Sequence, residues 1–249
     1  NVFQIIDELT IEAYLHADST AQYIFFGKVV PLDSLITPLD EELSPVIVDG
    51  EGNIFPLQPT GEDGRYENSV LTLQSESTYQ LEVEYNGKMV TASTYIPEAP
   101  ARGELSVYEI QRTQINDFED IFNQEQGDPV EVRWEAAPDT YYFVSVKNIE
   151  LDPNPINTLF EEEDIGIVRE GFTTEPFIGD RYAITPFDIT HFGTHEVTIY
   201  RVNPEYVLLY EDPSNGAAGL NEIRTNVENG FGIFTGINST TLYLEVEQL

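Results

Sequence analysis

Two histidines four residues apart, His191 and His195, have the spacing with which a helix face presents a pair of metal ligands. Gly193 and Thr194 stand between them, and the flanks read as strand and turn, so they are expected to be polar turn histidines. His16 stands alone. The run Glu161-Glu162-Glu163-Asp164, with Asp152 nearby, offers the hard oxygen ligands that calcium takes, and these five residues form the candidate metal site. The rival reading is a solvated acidic loop. Asp49-Gly50-Glu51-Gly52-Asn53 starts like a calcium loop. Its sixth and twelfth positions hold Ile54 and Thr60 where that loop needs Gly and Glu, so a tight turn is expected instead. With 45 acids in the chain, some carboxylate pair fits any glycosidase spacing, and the signal is empty. Cysteine is absent, which removes thiol nucleophiles, disulfides and Cys-ligated metals. No G-x-S-x-G elbow, phosphate loop or dinucleotide fingerprint occurs. Calcium apart, no cofactor and no catalytic residue is expected.

The elements that would carry such residues are strands. Tyr79, Leu81, Val83 and Tyr85 alternate with polar residues, as do Val130, Val132 and Trp134, and Leu242, Leu244 and Val246. A period of two puts one face in a core and the other in water, the mark of antiparallel sheets. Asn86-Gly87 between two strand-like runs predicts a two-residue hairpin turn. Pro97-Glu98-Ala99-Pro100-Ala101-Arg102-Gly103 reads as a linker. The expected fold is mainly β: two antiparallel sandwiches of immunoglobulin or fibronectin III type, 1–97 and 98–249, the second with an insertion at about 150–180. Helix is expected only briefly, at 204–212, with Asn203 as cap and Pro204 in the first turn, and around 117–125.

The most distinctive string is Asn226-Val227-Glu228-Asn229-Gly230-Phe231-Gly232-Ile233-Phe234-Thr235-Gly236. Glycines among aromatics mark either a docking surface or close backbone packing, and packing is the expectation. The string resembles the end of a Bacteroidota lipoprotein family, domain of unknown function 4249. Asn226-Val227, Gly230, Gly232 and Phe234 fit, while Thr235 departs by standing before Gly236. Pro45-Val46-Ile47-Val48-Asp49-Gly50, Gly64-Arg65-Tyr66, Asn86-Gly87-Lys88 and Ala92-Ser93-Thr94-Tyr95-Ile96-Pro97 are similar as well. The resemblance implies a lipoprotein at the outer membrane or cell surface, tethered through a lipidated cysteine upstream of Asn1. It also implies partnership with a TonB-dependent transporter of the starch-utilisation type. It carries over no catalytic residues. The first expectation is therefore a non-enzymatic accessory lipoprotein in nutrient capture or assembly. The second is a stand-alone carbohydrate- or peptide-binding module, and a carboxylate-pair hydrolase ranks last.

Charge limits the partners. Acids outnumber bases 45 to 11, for a net charge of −34. The 14 Tyr and 14 Phe show that this acidity coats a folded body rather than a disordered tail. Nucleic acid and anionic lipid need basic patches, so neither is an expected partner. No apolar run approaches the ~20 residues of a helical membrane span. The chain opens at Asn1 without Met, and a mature or trimmed chain is the expectation. On a body with a radius of gyration of roughly 18 Å, so many like charges repel one another. Salt screens that repulsion, so the melting temperature should rise from low to molar salt; an unchanged melt would show that the acids do not oppose folding.

Overall fold

The computed structural model describes residues 8–17, 19–30, 35–39, 42–123, 127–159, 171–210 and 225–249. The protein is mainly β, and the chain forms two compact units. One is Asn1–Glu98 with Val202–Asn238, and the other is Ala99–Arg201 with Ser239–Leu249. The expected second domain, 98–249, is thus not one contiguous stretch: 202–238 belong to the first unit.

In the first unit the strands are β1 (Leu9–His16), β2 (Gln22–Val30), β3 (Leu35–Pro38), β4 (Val46–Asp49), β5 (Ile54–Pro56), β6 (Gln58–Pro59), β7 (Arg65–Asn68), β8 (Ser77–Tyr85) and β9 (Lys88–Ile96). The second unit adds β10 (Ala101–Leu105), β11 (Glu109–Arg112), β12 (Val130–Glu135), β13 (Tyr141–Asn148), β14 (Gly171–Thr173), β15 (Phe177–Ile178), β16 (Arg181–Ile184) and β17 (Gly193–Val202). The chain closes with β18 (Val227–Glu228) and the long β19 (Phe231–Gln248). The first half of β19 belongs to the first unit and the second half to the other.

Two sheets face each other in each unit. In the first, β19–β1–β2–β7–β6 lies opposite β18–β9–β8–β4–β5. Leu9, Ile11, Ala13 and Leu15 of β1 meet Leu81 and Val83 of β8 in one core. In the second, β13, β17 and β19 lie opposite β10–β12–β16, and Val130, Val132 and Trp134 pack with Val144, Val146 and Ile199. The Trp134 ring sits 5.5 Å from that of Tyr142 and 5.9 Å from that of Phe177. Fully burying each such aliphatic side chain contributes roughly 1.5–3 kcal/mol.

Local chemistry explains several elements. β8 and β9 join at Asn86-Gly87, both with positive φ (51° and 73°), directly after the Tyr85↔Lys88 pair. That is the mirror-image turn whose twist suits a hairpin. Helix α1 (Phe118–Asn123) starts where Asp117 Oδ1 accepts from the amides of Glu119 and Asp120. Helix α2 spans Pro204–Val207 only, and Asn203 makes no side-chain cap there, contrary to expectation. Its amide instead donates to Tyr95 O at 2.7 Å and to Gly236 O at 3.2 Å.

The sheets are not purely antiparallel. β19 runs parallel to β1 from Thr10↔Phe231 to His16↔Ile237, and parallel to β11 from Glu109↔Glu245 to Arg112↔Gln248. Alternation in sequence reports which face is buried but not which way a neighbour runs. The β1–β19 approach depends on glycine. Gly232 has φ +112°, and a Cβ there would collide with the Ile11 carbonyl. Gly230 would place one 2.8 Å from Leu9 O. Gly232→Ala should therefore destabilise the protein by at least about 2 kcal/mol in urea unfolding. An unchanged midpoint would mean that β1 and β19 do not pack as described.

Candidate functional site

The distinctive 226–236 string is used in packing. The Asn226 amide donates to Phe234 O at 2.7 Å, and its Oδ1 accepts from Phe234 N at 3.0 Å, so one side chain stands in for a neighbouring strand. Asn229 donates to Met89 O at 2.9 Å. Gly236 N donates to Thr94 Oγ1 at 2.8 Å, and Thr94 donates on to Glu205 Oε1 at 2.9 Å. Sequence reading missed this seam, because Thr94 and Asn203 look like ordinary strand and cap residues.

Of the candidate calcium ligands, Glu161, Glu162, Glu163 and Asp164 lie outside the described residues. Asp152 is exposed at a bend. Among the described residues no three His, Asp or Glu side chains gather as a metal site would require. The 150–180 insertion is more than a loop. Residues 171–173 and 177–178 pair with β13 as β14 and β15. The segment before them is laced down by backbone bonds, Ile156 N to Thr190 O at 2.9 Å, Phe192 N to Asn154 O at 2.8 Å and Ile115 N to Ile156 O at 2.8 Å.

The histidines are where titratable chemistry concentrates, and the turn reading needs correcting. His191 and His195 are 4% and 3% exposed. Hydrogen bonds allow the burial. His195 Nδ1 lies 3.0 Å from Gly193 O, and a carbonyl only accepts, so Nδ1 carries the proton. Nε2 then accepts from the Asn148 amide at 3.4 Å. That amide is fixed in orientation: its NH2 also donates to Phe192 O at 2.9 Å, and its Oδ1 accepts from Glu150 N at 2.9 Å. His191 Nδ1 shares a hydrogen with Thr190 Oγ1 at 2.9 Å. A general base needs a lone pair facing substrate, and here Asn148 holds it.

Burial holds the His195 imidazole below its ordinary value, and His191 pushes the same way. The Gly193 carbonyl, Glu245 and Glu150 pull it partly back. The Glu150 carboxyl is itself held low, chiefly by the Thr194 amide that donates to it at 2.9 Å. Glu245 accepts from Thr194 Oγ1 at 2.9 Å. The folded state favours neutral His195, so its contribution to stability is complete above pH 6.5 and fades as pH falls from there toward the depressed folded value. Compared with His195→Gln, the wild-type protein should lose more stability between about pH 7 and pH 5 in thermal melts. Parallel pH profiles for the two would sink this assignment.

No curated protein sequence matches the chain. Solved structures resemble it at low identity. A two-domain fibronectin type III segment of chicken tenascin is 12% identical over 96% of this chain and 99% of that one, with a TM-score of 0.27. The FN1–FN3 domains of chicken CNTN1 are 10% identical over 97% of this chain and 65% of theirs, with a TM-score of 0.29. Murine CEACAM1b is 10% identical over 96% of this chain and 100% of that one, with a TM-score of 0.22. The model of one family, the domain of unknown function DUF4249, matches residues 4–242. Two sandwiches, a glycine-and-asparagine string near the C-terminus and this match over almost the whole length lead to one conclusion: the chain belongs to the DUF4249 family.

Proposed function

We propose that this protein is a non-enzymatic accessory lipoprotein of the bacterial outer membrane, in the Bacteroidota, working beside a TonB-dependent transporter in nutrient capture or assembly. The family membership supports this reading, since the lipid tether and the transporter are what the resemblance implied. One surface observation carries the partnership. Val107, Tyr108 and Tyr243 are 44%, 55% and 53% exposed. They lie at the start of the parallel β11–β19 ladder, next to β11, which among the described residues pairs on one side only. Exposed aromatics beside an open strand edge suit contact with another protein. The acidic coat directs that contact away from nucleic acid and anionic lipid. The polar clusters described above hold backbone in place, which fits a role in contact rather than catalysis.

A stand-alone carbohydrate- or peptide-binding module is the second reading, and the same exposed tyrosines favour it as stacking platforms. Affinity purification of the full-length native protein from solubilised membranes separates the two. Co-purification with a TonB-dependent barrel, with loss of the barrel on Tyr108→Ser and Tyr243→Ser, is the expected outcome. A cytosolic, unlipidated native protein would refute it. A glycan or peptide array that binds the protein with no barrel recovered would favour the second reading.

A further inference from the structure

Arg112 closes β11 and is 7% exposed. A guanidinium stays charged, and a buried charge is costly unless an opposite charge meets it. The other arginines described in ion pairs, Arg65, Arg102, Arg133 and Arg181, meet Glu62, Glu135, Glu131 and Asp180. Among the described residues no carboxylate lies within ion-pairing distance of Arg112. Burial lowers its pKa. In a chain with 45 acids, a buried arginine with no acidic partner among the described residues runs against composition.

The guanidinium also has somewhere to point. Its Nη1 would lie 3.2 Å from a Cβ at Gly127, so glycine leaves room there that a side chain would take. Gly127 and Arg112 together line a cavity of about 610 Å³ in the second unit. Val107, Ile110 and Pro129 supply apolar wall, and Glu109 and Asp128 supply carboxylates. The volume falls within the range of small-molecule sites, roughly 300–1,000 Å³. A simple anion would be repelled by a body of net charge −34 and by the acids of the cavity itself. A ligand with both charges would not be: its carboxylate suits the two-pronged guanidinium, and its cation suits Glu109 and Asp128.

We propose that this cavity binds a small zwitterion of amino-acid or short-peptide type, with its carboxylate on Arg112 and its cationic group on Glu109 and Asp128. The site stands independently of any transporter partnership, because the purified chain alone should bind.

The dipeptide Ala-Lys, its C-terminal amide and acetate are the probes, titrated by calorimetry and in thermal melts. Ala-Lys should bind and raise the melting temperature. The amide and acetate should each bind at least roughly tenfold more weakly. Arg112→Met should abolish the binding while leaving the unliganded protein as stable as before or more so, because an unpaired buried charge has been replaced by an apolar chain of similar length. Equal binding of acid and amide, no binding of Ala-Lys at millimolar concentration, or binding retained in Arg112→Met would each overturn the proposal.

Discussion

The parallel approach of β19 to β1 is the constraint on which the first unit rests. Two sheets can enclose the core around Leu9, Ile11, Ile24 and Phe26 only if the strand beside β1 comes close enough to share its ladder. The Leu9 and Ile11 carbonyls occupy the space where side chains at 230 and 232 would stand. Glycine is therefore required at these positions by volume, and at 232 by backbone geometry as well. The same strand continues into the second unit, where Leu244 and Val246 enter the other core. A single run of alternating residues thus satisfies two separate packing problems.

Asparagine does the polar work that ion pairs do elsewhere. Asn226 holds both backbone groups of Phe234. Asn68 donates to Pro56 O and accepts from the amides of Val70 and Leu71. Asn148 fixes Phe192, Glu150 and His195, while Asn238 donates to Pro97 O and Ser75 Oγ. The ion pairs described have exposed side chains, where such pairs contribute little. With eleven bases to 45 acids, cations are too scarce to neutralise buried carboxylates, and a neutral amide satisfies a donor and an acceptor with no charge to bury.

Much of this was legible in the sequence, and the physical reason is the pleat. Alternation marked Tyr79, Leu81, Val83 and Tyr85 as inward, and all four are buried. Val130, Val132, Trp134, Leu244 and Val246 follow the same rule. Asn-Gly announced the hairpin because few other residue pairs tolerate two positive φ values in succession. Strand direction and long-range partnership left no such trace. Nothing local in 227–238 says that it completes a sandwich begun at residue 9. The histidines misled because Gly193 and Thr194 look like turn residues, while Asn148, the partner of His195, is distant in sequence. Arg112 gave no signal either, since a lone arginine at a strand end ordinarily reaches solvent.

The placement of β19 has a consequence for how the protein is made. Thr10 pairs with Phe231, so this ladder of β1 waits for a strand made more than 200 residues later. Until then β1 presents an open side, and the N-terminal sandwich cannot seal as the ribosome proceeds. Closing a contact between residues so distant in sequence is slow because so much chain entropy must be surrendered first. A nascent chain of this design keeps its first sandwich unfinished until the residues of β19 have been made.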